Sequence, residues 1–462
     1  MNRSLSQFCA DVGGQLLGAD AQWSGVCIDS RKLQPGDLFI ALRGEHVDGH
    51  DYVAAAAATG AAGALVERPL PACAMPQVVV ANAEQALQQA AVAHRLRFSG
   101  PVVAVAGSNG KTTTKEMVRS ILARRWQVLA TRGNLNNHLG VPLTLLSLDA
   151  THEAAVIEVG ANHPGEVAFL TTLVRPQVGL VTNAGAEHLE GFGSLEGVAR
   201  AEGELFAGLA SSATAIINAD DEFAVLWEEL RGKAGRLDFG FAATAGVRIV
   251  DWDAGANGVQ TFRLVTPMGE VSVRLPLLGR HNAVNAAGAA AAALAAGASL
   301  EDVAAGLAAV EAVPGRLVMR TAIGGARLID DTYNANPSSV AVGLDLLASY
   351  GGDRWLVLGE MGELGEHTAA AHTAAGELAR AAGVSRLFAL GAPTKLSAVA
   401  FGVGAECYAS GEALSQSLAT ALRAHGAPQE VTVYVKGSRM NRLEKVVAAV
   451  LAGQGEGVTN AA

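Results

Sequence analysis

Residues 102–113 read VVAVAGSNGKTT: a β-branched apolar run, a Gly-rich turn, then a lysine and two threonines. A buried strand that ends in Gly107-Ser108-Asn109-Gly110 and opens a helix from Lys111 to about Arg124 builds a phosphate cradle. Successive backbone N–H groups and the helix N-terminus face the anion, and Lys111 adds a point charge. Thr112 and Thr113 supply hydroxyls, the first of them placed to ligate Mg2+. Glycines are required because the backbone must come close to phosphate oxygens, where a Cβ would intrude. The long pattern G-x-x-x-x-G-K-[ST] is not met, since Val105 stands at its first glycine; the shorter G-x-x-G-K-T remains. A plain Gly-rich turn carrying an exposed, solvated lysine competes with this reading, and the strand before and helix after weigh against it. A nucleoside triphosphate site is expected.

Composition sets the class. At 462 residues the chain is too long for one ordinary core, and about three domains follow. Half the residues are hydrophobic and 17% are charged, as in a well-buried globular protein. A net charge of −10 argues against nucleic acid or an anionic membrane as partner, so an anionic ligand needs local basic pockets in an acidic body. Cys9, Cys27, Cys73 and Cys407 lie far apart without C-x-x-C spacing and read as free buried thiols of a reducing compartment. The start, MNRSLSQFCADVGG, lacks a basic region followed by an apolar one, and the Ala-rich run 283–298 is a core helix rather than a membrane span. A cytoplasmic monomer is expected.

Strand-like runs alternate with helical patterns, which favours α/β architecture with parallel sheets. The first unit, 1–98, holds short strands (38–42, 63–66, 77–80) around a helix at 52–59 and ends in a linker, Arg97-Phe98-Ser99-Gly100-Pro101. The central unit, 99–314, begins with the phosphate loop. It continues through strands 154–157, 178–182 and 214–217, a Gly-punctuated β region at about 236–278, and the Ala-rich helix from His281. A turn at Val313-Pro314-Gly315 opens the third unit, 315–455, where the alternation restarts: strands 326–329, 355–358, 386–390 and 431–435, with helices 338–349 and 368–382. The tail GQGEGVTNAA reads as disordered.

Glu158 closes the strand AAVIEV at the edge where ligands sit in a doubly wound sheet, and a carboxylate there holds a metal bridging terminal phosphates. A solvated strand-end acid is the other reading. His188 follows another strand, through Thr182-Asn183-Ala184-Gly185-Ala186-Glu187, and lands on the same edge. Alone it would be structural; convergence with Glu158 and Thr112 favours a metal cluster. The N-K-x-D set of a guanine site is missing there. Asn282 and Asn285, three apart at the start of the Ala-rich helix, place two amides on one face, matching an adenine edge or a helix cap.

Together GSNGKTT, EVGANHPGEV (158–167), EHLEGFGS (187–194), GRHNAVNAAGAAA (279–291) and PGRL (314–317) resemble the ATP-dependent Mur ligases of peptidoglycan synthesis. Within that family, DSRKLQPGDLFIALRGEHVDGHDY (29–52), GNLNNHLGVPLTLL (133–146), DDTYNANPSS (330–339), LGEMGELGE (358–366) and KGSR (436–439) are similar to the branch that adds D-alanyl-D-alanine to UDP-MurNAc-tripeptide. The resemblance covers about residues 25–445. It implies three domains: an N-terminal one for the UDP precursor, a central P-loop parallel-sheet ATPase, and a C-terminal Rossmann-like domain closing over both. It implies that Ser30 and Arg31 contact uridine diphosphate and that Asn134, Asn136 and Asn137 form a substrate-facing loop. Lys111, Thr112, Glu158 and His188 would hold the γ-phosphate and two Mg2+ ions, Asn282 and Asn285 the adenine of ATP, and Arg316 the phosphates from the hinge. Asp331, Asn334 and Asn336 would serve ribose and the incoming dipeptide. The loop YNANP suits such a task, because amides project there without competition from secondary structure.

One position departs from the family. Its members read A-K-G-E after the EHLEGFGS loop, with a carbamylated lysine holding the second magnesium, whereas here Ala201-Glu202-Gly203-Glu204 puts Glu202 in that place. The expectation is that Glu202 supplies the anion directly; a solvated helix glutamate is the alternative. A ligase for the third peptide residue, a folylpolyglutamate-type synthetase and a non-ligating P-loop switch remain as other functions. The first is disfavoured by Asn334-Ala335-Asn336-Pro337 where a D-N-P-R motif is usual, and the last leaves DSR and KGSR without a purpose.

Overall fold

The computed structural model describes residues 3–255 and 258–451; the tail read as disordered and the last four residues of the third unit lie outside them. Three sheets organise the chain. The first has five strands in the order Gln15–Leu17, Gln77–Val79, Gly63–Val66, Leu38–Ile40, Val26–Cys27, parallel except for the antiparallel edge Gln15–Leu17.

The central sheet has nine strands. Val102–Ala106, which carries the phosphate loop, lies between Ala154–Glu158 and Val178–Val181, and all three run parallel. Such strands feed their loops to one edge, so the ends of all three face the same space. The sheet continues through Thr214–Asn218, Gly235–Gly240 and Val247–Asp253, then turns antiparallel at Gln260–Thr266 and Gly269–Leu275. The parallel expectation fails at that edge because the connections there hold no crossover helix: six residues separate Val247–Asp253 from Gln260–Thr266, and only Pro267 and Met268 separate the last two strands. A two-residue connection can join antiparallel neighbours only. The Ala-rich helix Arg280–Ala295 packs across this sheet, buried from Ala283 through Leu294 apart from half-buried Val284. Small side chains let it approach the strands closely.

The third sheet has six strands, Val318–Thr321, Arg327–Asp331, Val431–Lys436, Asp353–Leu358, Arg386–Leu390 and Ala405–Tyr408, with only the first pair antiparallel. Its register sets Asp331 beside Lys436 and Lys436 beside Leu358, so three strand ends meet on the edge that faces the central domain. No described helix is long and apolar enough to cross a membrane.

Two expectations are corrected. The cysteines are free, but Cys9, Cys27 and Cys73 are only half-buried and Cys407 is exposed, because it sits on the outermost strand of its sheet. Residues 97–101 are a packed junction rather than a loose linker: Phe98 is buried, and a Cβ on Gly100 would meet the Glu153 carbonyl. The preceding helix, Ala83–Leu96, which the periodicity reading does not contain, packs on central-domain helices, so the first sheet and one face of the second share a continuous apolar core. Buried Arg95 fastens the seam. Its guanidinium donates to the carbonyls of Val174 (2.8 Å), Arg175 (3.0 Å) and Phe98 (3.0 Å), the first two at the end of the helix Glu166–Val174. A cation suits a helix C-terminus. Arg95→Ala strands these acceptors and should lower stability by about 2–4 kcal/mol, read as a shift of the first transition in urea unfolding. An unchanged midpoint would show that the apolar core alone holds the two domains together.

Candidate functional site

The phosphate loop is pinned from behind. Gly107 (φ 117°) leaves no room for a Cβ, which would lie 2.2 Å from Thr182 Oγ1. Ser108 N–H donates to the Asn183 carbonyl (2.9 Å) and Asn109 N–H to Asn183 Oδ1 (3.1 Å), while Thr182 Oγ1 and Asn183 Nδ2 donate to the Asn109 carbonyl. Gly110 (φ 83°) then turns the chain into the helix Lys111–Leu122, two residues shorter than the expected end at Arg124. This helix and the neighbouring strand ends border a cavity of about 530 Å³.

Into it the fold brings Ser108, Asn109, Gly110, Lys111 and Thr113 of the loop, Asn134, Asn136 and Asn137, Glu158, His188, Asn282 and Asn285, and from the C-terminal domain Arg316, Asp331, Asn334 and Asn336. Gly107 lies behind the loop, and Thr112 is buried under it with Oγ1 accepting from Arg316 Nη2 at 3.1 Å. Ser30 and Arg31 are not among the lining residues. They sit in a turn of the N-terminal domain, where exposed Arg31 forms a two-point pair with Asp29 (2.8 and 2.9 Å). The cavity also holds groups that the sequence reading did not select: Asn183, Glu187, His281, Tyr333 and Lys436. All five had a signal, since Asn183 and Glu187 lie in the stretch leading to His188, His281 belongs to GRHN, Tyr333 to DDTYNANPSS and Lys436 to KGSR.

Lys111 is not the exposed, solvated lysine of the competing reading. Lys111 Nζ lies 3.2 Å from Glu187 Oε1 and donates to the Ser108 carbonyl at 3.0 Å. Burial alone would push its ammonium down, but Glu187, Glu202 and Glu158 around it hold it above the ordinary lysine value. Glu202, on the helix Leu195–Ala207, is 1% exposed, which removes the solvated alternative. Its Oε2 accepts from Gly107 N–H at 2.7 Å, and burial pushes its carboxyl up to about 7, with Lys111 opposing and Glu187 adding.

The metal cluster expected from Thr112, Glu158, His188 and Glu202 is not assembled as such. Among the described residues no three His, Cys, Asp or Glu side chains are gathered to hold an ion. Each has another partner: Glu158 Oε1 accepts from Asn136 Nδ2 (3.0 Å), Glu202 takes the Gly107 N–H, and His188 Nδ1 lies 2.6 Å from Glu363 Oε2. The donor chemistry nevertheless fits a hard cation beside phosphate. Glu158 Oε2 is buried without a partner, an expensive state for a carboxylate oxygen unless a ligand completes it. Arg316 Nε is likewise buried and unpaired, with its guanidinium stacked 4.2 Å over Tyr333. An unpaired acceptor and an unpaired donor therefore lie in one cavity around a phosphate loop.

Asn282 and Asn285 are not helix caps, because the cap position is Gly279 and offers no side chain. Asn282 Nδ2 donates to the Leu278 carbonyl (2.7 Å), and its Oδ1 accepts from Asn285 Nδ2 (3.1 Å). Asn285 also lies against Gly110, where a Cβ would come within 2.8 Å of its amide. From the third domain, Asn336 caps the helix Pro337–Ala348 and reaches back to Asn109 Oδ1 (2.9 Å), while Asn109 Nδ2 donates to Ser338 Oγ (3.0 Å). Asp331 Oδ2 accepts from Lys436 Nζ (2.6 Å) and the Tyr434 hydroxyl (2.8 Å), facing His281 across the hinge.

Family models match in three consecutive blocks: the Mur ligase family catalytic domain at residues 22–95, the Mur ligase middle domain at 105–293, and the Mur ligase glutamate ligase domain at 315–439. The UDP-N-acetylmuramoyl-tripeptide–D-alanyl-D-alanine ligase of Escherichia coli K12 is 43% identical over 448 residues, covering 97% of this chain and 98% of that protein. A crystal structure of MurF from Acinetobacter baumannii superposes with a TM-score of 0.90 at 34% identity, covering 97% and 98% of the two chains. MurF ligase from Thermotoga maritima in complex with ADP gives 0.78 at 27%, covering 92% and 96%.

Burial pushes His281 down to about 4, with Asp331 raising it and Lys436 lowering it in smaller measure. The unfolded chain takes up this proton below about 6.5, while the folded chain resists until about 4. Stability contributed by neutral His281 is therefore present above pH 6.5 and lost as pH falls to 4. His281→Gln should flatten the decline of urea midpoints across that window and leave the pH 8 midpoint little changed. An unaltered slope would place the acid sensitivity elsewhere.

Proposed function

The chain belongs to the Mur ligase family, and from that premise we propose that it joins D-alanyl-D-alanine to UDP-MurNAc-tripeptide with conversion of ATP to ADP and phosphate. The observation that carries the site assignment is the pair of unsatisfied buried atoms, Glu158 Oε2 and Arg316 Nε, around a G-x-x-G-K-T loop. A cation-bound nucleotide satisfies both.

A carboxylate does not condense with an amine in water. The tripeptide carboxylate first attacks the γ-phosphorus, ADP leaves, and an acyl phosphate forms. The dipeptide amine then attacks the acyl carbon, loses a proton, and phosphate leaves. Catalysis is positioning and charge neutralisation, by Lys111, the N-terminus of its helix and Arg316. Thr112, Glu158, His188 and Glu202 would hold Mg2+, which supplies charge neutralisation at the terminal phosphate oxygens. Asn282 and Asn285 face adenine and Asp331 the ribose. Asn334 and Asn336 meet the dipeptide, and Asn134, Asn136 and Asn137 the tripeptide end. Ser30 and Arg31, outside the cavity, take the uridine diphosphate, so the precursor spans from the N-terminal domain to the phosphate loop. The third domain shields the acyl phosphate from water. The enzyme is read as a monomer, and its use of ATP and of a UDP-linked precursor supports a cytoplasmic reaction.

Phosphate release from ATP with UDP-MurNAc-tripeptide should depend on D-alanyl-D-alanine; release indifferent to both substrates would favour a switch ATPase. Lys111→Ala should lose turnover by a factor of at least about 10³. It should also destabilise the fold, because Glu187, Glu202 and Glu158 lose their counter-charge. Near-normal turnover in the folded variant would remove the phosphate-loop assignment. Replacing Asn282 and Asn285 together by Asp should weaken ATP more than GTP, and equal losses would argue that these amides serve the loop alone. For Glu202, activity insensitive to bicarbonate and strong impairment of Glu202→Gln are expected. Full activity of that variant at low Mg2+ would take Glu202 out of the metal set.

A further inference from the structure

The motif LGEMGELGE at 358–366 is absorbed by none of the roles above. It forms the loop after the strand Asp353–Leu358 and is tied to KGSR: Gly359 N–H donates to the Lys436 carbonyl (2.8 Å) and Ser438 N–H to the Glu360 carbonyl (2.9 Å). Met361 and Leu364 are buried, and Met361 N–H donates to Nε2 of buried His372 (3.2 Å). Glu363 stands between these two anchors with φ 61°. A glutamate gains nothing locally from a left-handed conformation, which Gly or Asn adopts more readily. The side chain is therefore where a reason for Glu must be sought, and it crosses to the central domain, with Oε2 2.6 Å from His188 Nδ1. His188, also left-handed (φ 47°), is mostly buried, lines the cavity, and packs edge-on to Phe192.

We propose that Glu363 is a positioning residue of the phosphate site: its carboxylate, delivered by the C-terminal domain, accepts Nδ1–H of His188 and so presents the Nε2 lone pair to the cation that accompanies ATP. The proposal rests on His188 being a cation ligand. Histidines that bind cations commonly donate their other N–H to a carboxylate, which sets the tautomer, orients the ring and raises its basicity. Here the two partners belong to different domains. His188 reaches full ligating strength only when the C-terminal domain is seated, so tight cation binding coincides with exclusion of water from the acyl phosphate.

The test uses the full-length chain with Mn2+ and a non-hydrolysable ATP analogue, reading free Mn2+ by electron paramagnetic resonance. Glu363→Ala should weaken Mn2+ binding about tenfold or more. Glu363→Gln, whose amide oxygen still accepts the hydrogen bond, should fall between it and wild type, and analogue binding without metal should stay unchanged. The 15N shifts of His188 should show Nδ1–H in wild type and a mixed tautomer in Glu363→Ala. Glu363→Asn, compatible with the left-handed backbone, should keep the wild-type melting temperature while losing Mn2+ affinity. If His188→Ala leaves Mn2+ binding intact, the cation-ligand reading of His188 fails. If His188→Ala weakens it but the Glu363 variants do not, or if wild-type His188 is protonated at Nε2, the role of Glu363 is overturned.

Discussion

Lys111 sits among three acids drawn from three parts of the central domain: Glu158 from a strand end, Glu187 from the loop after Val178–Val181, and Glu202 from a helix. A buried ammonium is tolerated only where anions compensate it, and buried carboxylates only where a cation does. The phosphate loop, both flanking strands and the helix Leu195–Ala207 are thus bound to one arrangement by mutual charge. The compensation is incomplete on the acidic side. Glu158 keeps a bare oxygen, and Glu202 is driven up to about 7. That surplus of acid beside the phosphate loop suits the cation-bound nucleotide proposed above.

The domains are attached in two different ways. The N-terminal sheet and one face of the central sheet share an apolar core, with Arg95 closing the seam over a helix end. Such packing is dense and does not yield to small motions. The C-terminal domain keeps its own cores on both faces of its sheet and meets the centre through polar bonds: Arg316 to Thr112, Asn336 and Ser338 to Asn109, Glu363 to His188. Water can replace each of these bonds at modest cost. The C-terminal domain, which carries Arg316, is accordingly held by exchangeable polar contacts, whereas the N-terminal and central domains form one continuously packed pair.

The same polar seam brings the third domain's strand ends over the phosphate loop. Asp331, Lys436 and the loop after Leu358 share one edge because the parallel register demands it. Approach at the centre is tight: a Cβ at Gly185 would lie 2.7 Å from Asn109 Nδ2 and 2.8 Å from Ser338 Oγ. Glycine at 185 is what lets the two domains touch over the loop.

How much of this was legible in the sequence follows from the range of each interaction. The strand Val102–Ala106, the turn at Gly107 and Gly110 and the helix from Lys111 depend on neighbours in the chain, so periodicity and glycine placement disclose them. Three α/β units with their alternating elements are readable for the same reason, whereas the antiparallel edge strand of each sheet is fixed by pairing across space. The acids around Lys111 are not legible in the sequence, because Glu187 lies 76 positions away and its effect depends on distance through space. The packed junction at 97–101, the contribution of His281 and Lys436 to the cavity and the pairing of Glu363 with His188 share that origin. Local backbone preference is written in the sequence by itself; which charges share a low-dielectric space is decided only when the sheets and domains are brought together.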